Sequence, residues 1–469
     1  MLFNSYEFIF LFLPIALLGY LGLGKIGNGL LSKSWLLLAS LFFYSYWNPI
    51  YLPLLLGSII INYYVSGIII NHREKIGILI STKLVFQLGI CFNIVLLCFF
   101  KYMDFFIDNT NMIIGSNFSL LHIVLPLGIS FFTITQMVYL VDTYEGLVHE
   151  RDIINYSLFV TFFPHLLAGP ILHHKPTMTQ FANTLITKIN YENIYRGLFL
   201  FVIGLFKKVL IADNLAPYVK LGFNNPEQLA FFHGWLIALG YAFQLYFDFS
   251  GYSDMAVGTA LMFNINIPIN FNSPFRAKNI VDFWNRWHIS LTNTITTYLY
   301  TPILKSFKSI TFKKAMLSTF IAMLIAGFWH GSNWTFIIFG AMHGLGMVIN
   351  HIVKKRKIKI NPPLAHFFTL SWVLMAFVFF RADNITSALI ILKAMFCFKG
   401  ILVFNNWVQY RHLFELCIIS GLLVAFSPNS NELLKRVQPN WKWLFIMTIL
   451  LIVAFYNLSK ITEFLYFQF

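Results

Sequence analysis

Residues 315–353 read AMLSTFIAMLIAGFWHGSNWTFIIFGAMHGLGMVINHIV. Two apolar arms flank a single break, Gly331-Ser332-Asn333, and a basic cluster stands just outside each end. Lys305, Lys308, Lys313 and Lys314 precede the stretch. Lys354, Lys355, Arg356, Lys357 and Lys359 follow it, with no acid among them. Loops rich in Lys and Arg stay on the cytoplasmic side of a membrane. With both clusters cytoplasmic, the stretch must go in and come back, as a hairpin of two short arms with GSN at its apex. At 1.5 Å per residue, the fifteen steps from Ala315 to His330 give ~22 Å of depth. His330 then sits well inside the bilayer, toward the far side.

The composition agrees with a lipid environment. Of 469 residues, 58% are hydrophobic and only 11% charged, and the mean hydropathy is +0.71. Soluble domains carry ~25% charged residues, so this chain cannot clothe several of them. The 33 Lys+Arg against 18 Asp+Glu leave a net charge of +15. No separate basic domain exists to hold nucleic acid, and the excess reads as cytoplasmic loops. The N-terminus, MLFNSYEFIFLFLPIALLGYLGLGK, lacks a basic start and a small-residue cleavage site, and reads as a first membrane helix. Cys91, Cys98, Cys397 and Cys417 show no CxxC spacing and read as small core residues.

Fourteen apolar segments between residues 7–24 and 442–459 are candidate spans, one of them at 119–140, and several are too short for a clean crossing. The expected fold is an all-α polytopic membrane protein of roughly ten to twelve transmembrane helices plus re-entrant segments. The connection from Asn264 to Phe312 is neither strongly apolar nor disordered in character, and includes a helix-like stretch from Asn279 to Tyr300.

Ionisable and polar groups at membrane depth are functional candidates by default. Four clusters qualify. FFPHLLAGP, residues 162–170, breaks an apolar helix with Pro164 and Gly169-Pro170, just before His173 and His174. YAFQLYFDFSGYSD, residues 241–254, sets Gln244, Asp248, Ser250, Ser253 and Asp254 in an aromatic run. Asp248 cannot stay ionised in hydrocarbon without a partner. DFWNRWHISL, residues 282–291, packs Trp284, Asn285, Arg286, Trp287 and His288 into five positions. On one helix, Trp284 and His288 share a face, and Asp282 and Arg286 can form an ion pair. GFWHGSNWTFIIFGAMHG, residues 327–344, carries His330 and His343.

The bland readings are a structural turn for the first cluster, a polar clamp for the second, an aromatic belt with a snorkelling Arg for the third, and a satisfied core histidine for the fourth. No GxSxG elbow, Walker loop or HExxH motif is present, and no metal site is expected. Histidine is the natural general base near neutral pH. The residues alone leave two chemistries open: direct proton abstraction from a substrate hydroxyl, or a histidine proton relay in a transporter.

Seven blocks, in order, carry a resemblance: PLGISFFTITQMVYLVDTYEG at 126–146, FFPHLLAGPI at 162–171, GLFKKVLIADNLAPYV at 204–219, YAFQLYFDFSGYSDMAVG at 241–258, NFNSPFRAKNIVDFWNRWHISL at 270–291, GFWHGSNWTFIIFGAMHG at 327–344 and VFFRADNITSA at 378–388. The ordered set resembles the membrane-bound O-acyltransferase (MBOAT) family, in its bacterial polysaccharide O-acetyltransferase branch. It covers most of residues 100–390. It implies N-terminal transmembrane helices at 1–100, an MBOAT-like catalytic core at 101–390 and C-terminal transmembrane helices at 391–469.

The resemblance implies helices around a tunnel, with the family's histidine falling on His330 and its second characteristic position on His288. It further implies acetyl-CoA as donor, a bacterial inner-membrane location, and a periplasmic SGNH-type acetyltransferase or esterase acting in trans. One departure stands out: where relatives resemble Trp/Phe-Leu-Arg-Asp-Tyr, this chain reads TNTITTYLY at 292–300, with Thr296 and Thr297 in place of the Arg-Asp pair. The blocks look closer to peptidoglycan than to alginate enzymes. The catalytic candidates are His330 and His288; the substrate-binding candidates are Asn285, Trp287, Trp334, Asp248 and Gln244. The rival functions are a D-alanyl transferase acting on teichoic acid and an acetyl or polysaccharide transporter without chemistry of its own.

Overall fold

The computed structural model describes residues 1–27, 29–73, 81–148, 151–396, 407–458 and 465. Cys397 lies outside them. The described residues form helices and no β-strand. Six helices are long and apolar enough to cross a membrane: Glu7–Lys25, Pro49–Asn71, Thr82–Ile114, Phe312–His330, Trp334–Lys355 and Pro362–Arg381. A seventh is gained if Tyr410–Phe426 and Ser430–Arg436, bent by 53°, count as one span. The chain is thus an all-α polytopic membrane protein, with fewer full-length spans among its described residues than the ten to twelve expected.

The shortfall has a local cause. The segment expected at 119–140 is irregular to Pro126, and its helix begins only at Ile129, after Gly128 turns the chain at φ +71°. The apolar stretch at 154–172 stops at Phe162, restarts as Phe163–Leu166 with Pro164 in its first turn, and stops again. Proline denies a helix interior one hydrogen bond and clashes with the turn before it. Such breaks are tolerated at membrane depth when protein buries them, and Phe162 through Leu172 are buried.

The outer surface fits hydrocarbon. Leu18, Leu38, Phe10 and Phe445 each expose more than half of their surface. In water every 100 Å² of such exposure costs about 2.5 kcal/mol; against lipid tails it costs nothing comparable.

The chain divides into two compact units, Met1–Val202 with Asp254–Pro268, and Ile203–Ser253 with Ile269–Phe469. In the first, Phe8, Phe12, Phe43 and Phe163 pack ring on ring, and buried amides pair across helices: Asn62 with Asn93, and Gln136 with Ser58 and Tyr156. Each buried amide needs such a partner, because hydrocarbon supplies none.

The second unit holds the hairpin. Its arms are not short: Phe312–His330 has 19 residues and Trp334–Lys355 has 22, and both pass as full spans. At 1.5 Å per residue the first arm is roughly 28 Å long. Gly331 is extended, and the Asn333 side chain accepts the Thr335 N–H to cap the second arm. The arms cross closely at a pair of glycines. A Cβ on Gly340 would stand 2.5 Å from the Met323 carbonyl oxygen and 2.9 Å from Gly327 Cα. Small residues at such crossings let backbones approach in membranes. At the open end, the Lys355 ammonium lies 4.0 Å from the centre of the Phe312 ring. Both basic clusters therefore lie at one end of the hairpin and His330 at the other.

Candidate active site

His330 is the last residue of the first arm and is 7% exposed. Its ring meets Trp329 at 5.1 Å, Phe380 at 5.3 Å and Phe339 at 6.0 Å, all edge to face. Four residues after Phe339 on the second arm, His343 packs against the same ring at 4.5 Å. His343 is fully buried, and its Nδ1 accepts the Trp284 indole N–H at 3.2 Å. An indole nitrogen only donates, so the neutral His343 ring carries its proton on Nε2. The aromatic layer continues from Phe339 through Phe377 to Trp287, the residue before His288. His343 thus shares the Phe339 ring with His330.

The helix expected from Asn279 to Tyr300 is broken. Ile280–Trp284, capped by the Asn279 side chain, ends before Asn285. Ile289–Ile295 begins after His288, and a π-helical turn, Thr296–Tyr300, holds the departure from the family pattern. His288 has φ +45° and ψ +53°, the left-handed region. Trp284 and His288 therefore do not share one helix face. The cause is a docked segment: Asn272 donates its N–H to the Arg286 carbonyl at 2.9 Å, and Ile289 donates to the Asn270 carbonyl at 3.0 Å. A left-handed residue other than glycine costs about 1–2 kcal/mol, which two backbone hydrogen bonds of about 1 kcal/mol each offset. The expected Asp282–Arg286 ion pair is present at 2.7 Å.

His288 is 1% exposed and packs edge to face on Phe249 at 4.7 Å. It lies outside the membrane-spanning helices, and burial drives its imidazole well below its usual range, to about 3. The ring is neutral at pH 7.

The other candidates fall in four places. Trp287 is a core residue, stacked on Phe283 at 5.6 Å and packed on Phe377 and Phe271. Trp334, at the start of the second arm, is half-exposed. Asn285 is exposed and lines a cavity of about 460 Å³ with Lys278, Asn279, Asn350, His351 and Lys354 among its walls.

Gln244 and Asp248 lie one turn apart on the helix Phe231–Met262, next to the Phe249 that touches His288. Asp248 is 2% exposed and finds the partner its burial demands: the Lys208 ammonium at 2.7 Å. Lys208 also pairs with Asp213 at 2.7 Å, and the second oxygen of Asp248 accepts the Leu465 N–H at 3.1 Å. Lys208 sits in a π-helical turn, Lys207–Ala212, a distortion frequent at functional sites. Sequence reading missed Lys208, because a Lys-Lys pair at a helix end reads as an interfacial anchor. It also missed the part played by Asn270.

The MBOAT, membrane-bound O-acyltransferase, description matches residues 75–361. The chain belongs to the membrane-bound O-acyltransferase family, and it is a membrane O-acyltransferase. It is 41% identical to the peptidoglycan O-acetyltransferase of Helicobacter pylori, over 100% of this chain and 98% of that one. It is 37% identical to a probable alginate O-acetylase of Azotobacter vinelandii, over 85% and 78% of the two chains. It is 30% identical to the teichoic acid D-alanyltransferase of Streptococcus thermophilus, over 50% and 59%.

Proposed function

We propose that this enzyme takes acetyl groups from cytoplasmic acetyl-CoA and moves them across the bacterial inner membrane toward hydroxyls of a cell-envelope polysaccharide. Peptidoglycan is the favoured polysaccharide, and alginate the next. A periplasmic SGNH-type transferase or esterase receives or applies the group in trans. The observation that carries this reading is the end-to-end 41% identity to a peptidoglycan O-acetyltransferase.

In this mechanism His330 acts as general base. Its imidazole takes the proton of the acceptor hydroxyl as that oxygen attacks the thioester carbonyl. The new C–O bond forms, the C–S bond breaks, and the proton passes to the departing CoA thiolate. His330 ends a 19-residue helix, whose C-terminal end favours positive charge, the charge the ring gains in this step. The shell of Phe339 and Phe380 excludes water, so that the hydroxyl and not water is activated. Supporting the sidedness, both basic clusters lie at the hairpin end opposite His330, and such clusters stay cytoplasmic. The cavity lined by Lys278, His351 and Lys354 suits the phosphates of CoA, which lysines meet as point charges, and the one carboxylate in its wall, Asp282, is paired with Arg286.

Donor identity is the direct test. The full-length protein in detergent, given acetyl-CoA and peptidoglycan oligosaccharide, is expected to release CoA thiol and acetylate the sugar. A D-alanyl-loaded carrier protein is expected to leave it idle. Turnover of that carrier but not of acetyl-CoA would contradict the proposal in favour of D-alanyl transfer; movement of acetyl compounds without thiol release would mark a transporter.

A further inference from the structure

The break that carries His288 is organised by one buried side chain. Asn270 is 1% exposed, and both ends of its side-chain amide and its backbone carbonyl are engaged. Its Oδ1 accepts the Ser290 hydroxyl at 2.6 Å and the Ser290 backbone N–H at 3.2 Å. Its Nδ2 donates to Ser253 Oγ at 3.2 Å, and its carbonyl accepts the Ile289 N–H at 3.0 Å. His288 Nδ1 lies 3.4 Å from the same Oδ1.

These contacts fix an assignment that is often ambiguous. The two ends of an asparagine amide are hard to tell apart, and so are the tautomers of a histidine. Here the Ser290 backbone N–H can only donate, so the atom facing it must be the amide oxygen. An oxygen already accepting two hydrogen bonds can meet His288 Nδ1 only if that nitrogen carries a proton. In a neutral imidazole the other nitrogen, Nε2, then holds a bare lone pair.

We propose that Asn270 is a positioning residue that holds His288 as the Nδ1–H tautomer and so makes Nε2 a hydrogen-bond acceptor in the active site. The proposal rests on the reading of His288 as a site residue. It also narrows that residue's role. A ring whose Nε2 accepts cannot donate to a developing oxyanion; it receives a hydrogen bond from a hydroxyl and orients it. The backbone contributes as well. Holding residue 288 in the left-handed region turns the ring away from the path a continuous helix would give it, and the Asn270 carbonyl secures that turn through Ile289. Phe249 and Asn270 face the His288 ring, and the charge nearest in sequence to Phe249, Asp248, is held by Lys208.

Two measurements test this. In the full-length protein labelled with ¹⁵N-histidine, the His288 signals, assigned by their loss in His288→Gln, are expected to show a protonated Nδ1 and a bare Nε2. The reverse tautomer would overturn the proposal. In the second, acetyl transfer at pH 7 is compared for Asn270→Asp and Asn270→Leu. A carboxylate keeps the acceptor for Ser290 and His288, so Asn270→Asp is expected to retain most of the wild-type rate. Asn270→Leu is expected to lose about 10–100-fold, the range found when the orienting partner of a functional histidine is removed. Equal loss in the two variants, or full activity in Asn270→Leu, would overturn it. His288→Gln separates this from the underlying reading: full activity there removes His288 from the site, whereas lost activity there with equal rates in Asn270→Asp and Asn270→Leu removes only the role of Asn270.

Discussion

Replacing His330 by alanine is expected to slow acetyl transfer by about 10²–10⁴-fold, which is roughly 3–5 kcal/mol of barrier. The size follows from losing a positioned proton acceptor. An acceptor hydroxyl is a poor nucleophile while its proton stays on, and in an apolar shell no water stands ready to take it. The alanine also removes ring packing against Trp329, Phe339 and Phe380, so lost activity alone would be ambiguous. His330→Gln answers this, because it keeps volume and polarity but no base. Both variants are expected to melt near the wild type in detergent and to fail in single-turnover release of CoA thiol. A His330→Gln protein that turns over at the wild-type rate would remove His330 from the chemistry.

The largest expected effect on stability lies at Lys208. Its ammonium stands 2.7 Å from both Asp213 and Asp248, and the three side chains are 2%, 6% and 2% exposed. One cation thus serves two buried anions. Replacing Lys208 by methionine keeps the apolar stem and deletes the charge, leaving two carboxylates facing each other without compensation. Breaking a buried ion pair from one side costs about 3–5 kcal/mol. Lys208→Met is therefore expected to lower the melting temperature sharply or to yield aggregated protein. The triple change Lys208→Met, Asp213→Asn, Asp248→Asn is expected to recover most of the loss, because neutral isosteres remove the repulsion. A Lys208→Met protein as stable as the wild type would show that the two carboxylates do not depend on this lysine.

Much of the candidate site's local structure was legible in the sequence because its signals are local. The hairpin announces itself by a polar break between two apolar arms with lysines at both ends. His330 is conspicuous because it ends the first arm beside a glycine. Asp282 and Arg286 stand one helical turn apart, and their pairing needs nothing else. The remainder depends on contacts between residues far apart in the chain. A local pattern runs the helix straight through His288; only the docking of residues 270–272 against 286–289 ends it. Asp248 plainly needed a cation, but Lys208 precedes it by forty residues and looks like an interfacial anchor. Hydropathy registers apolar length, whereas Gly128 and Pro164 decide whether that length stays helical.

The central claim is that a donor on the basic face supplies acetyl to an acceptor on the other. It is tested most directly in sealed vesicles containing the full-length protein, selected for the Lys354–Lys359 end facing outward. Labelled acetyl-CoA is added outside, with peptidoglycan oligosaccharide and a soluble SGNH-type transferase trapped inside. The account predicts labelled acetyl-sugar in the lumen and CoA thiol released outside, with neither seen for His330→Ala. Lumenal acetylation that persists in His330→Ala, or that occurs only with acetyl-CoA inside, would contradict it.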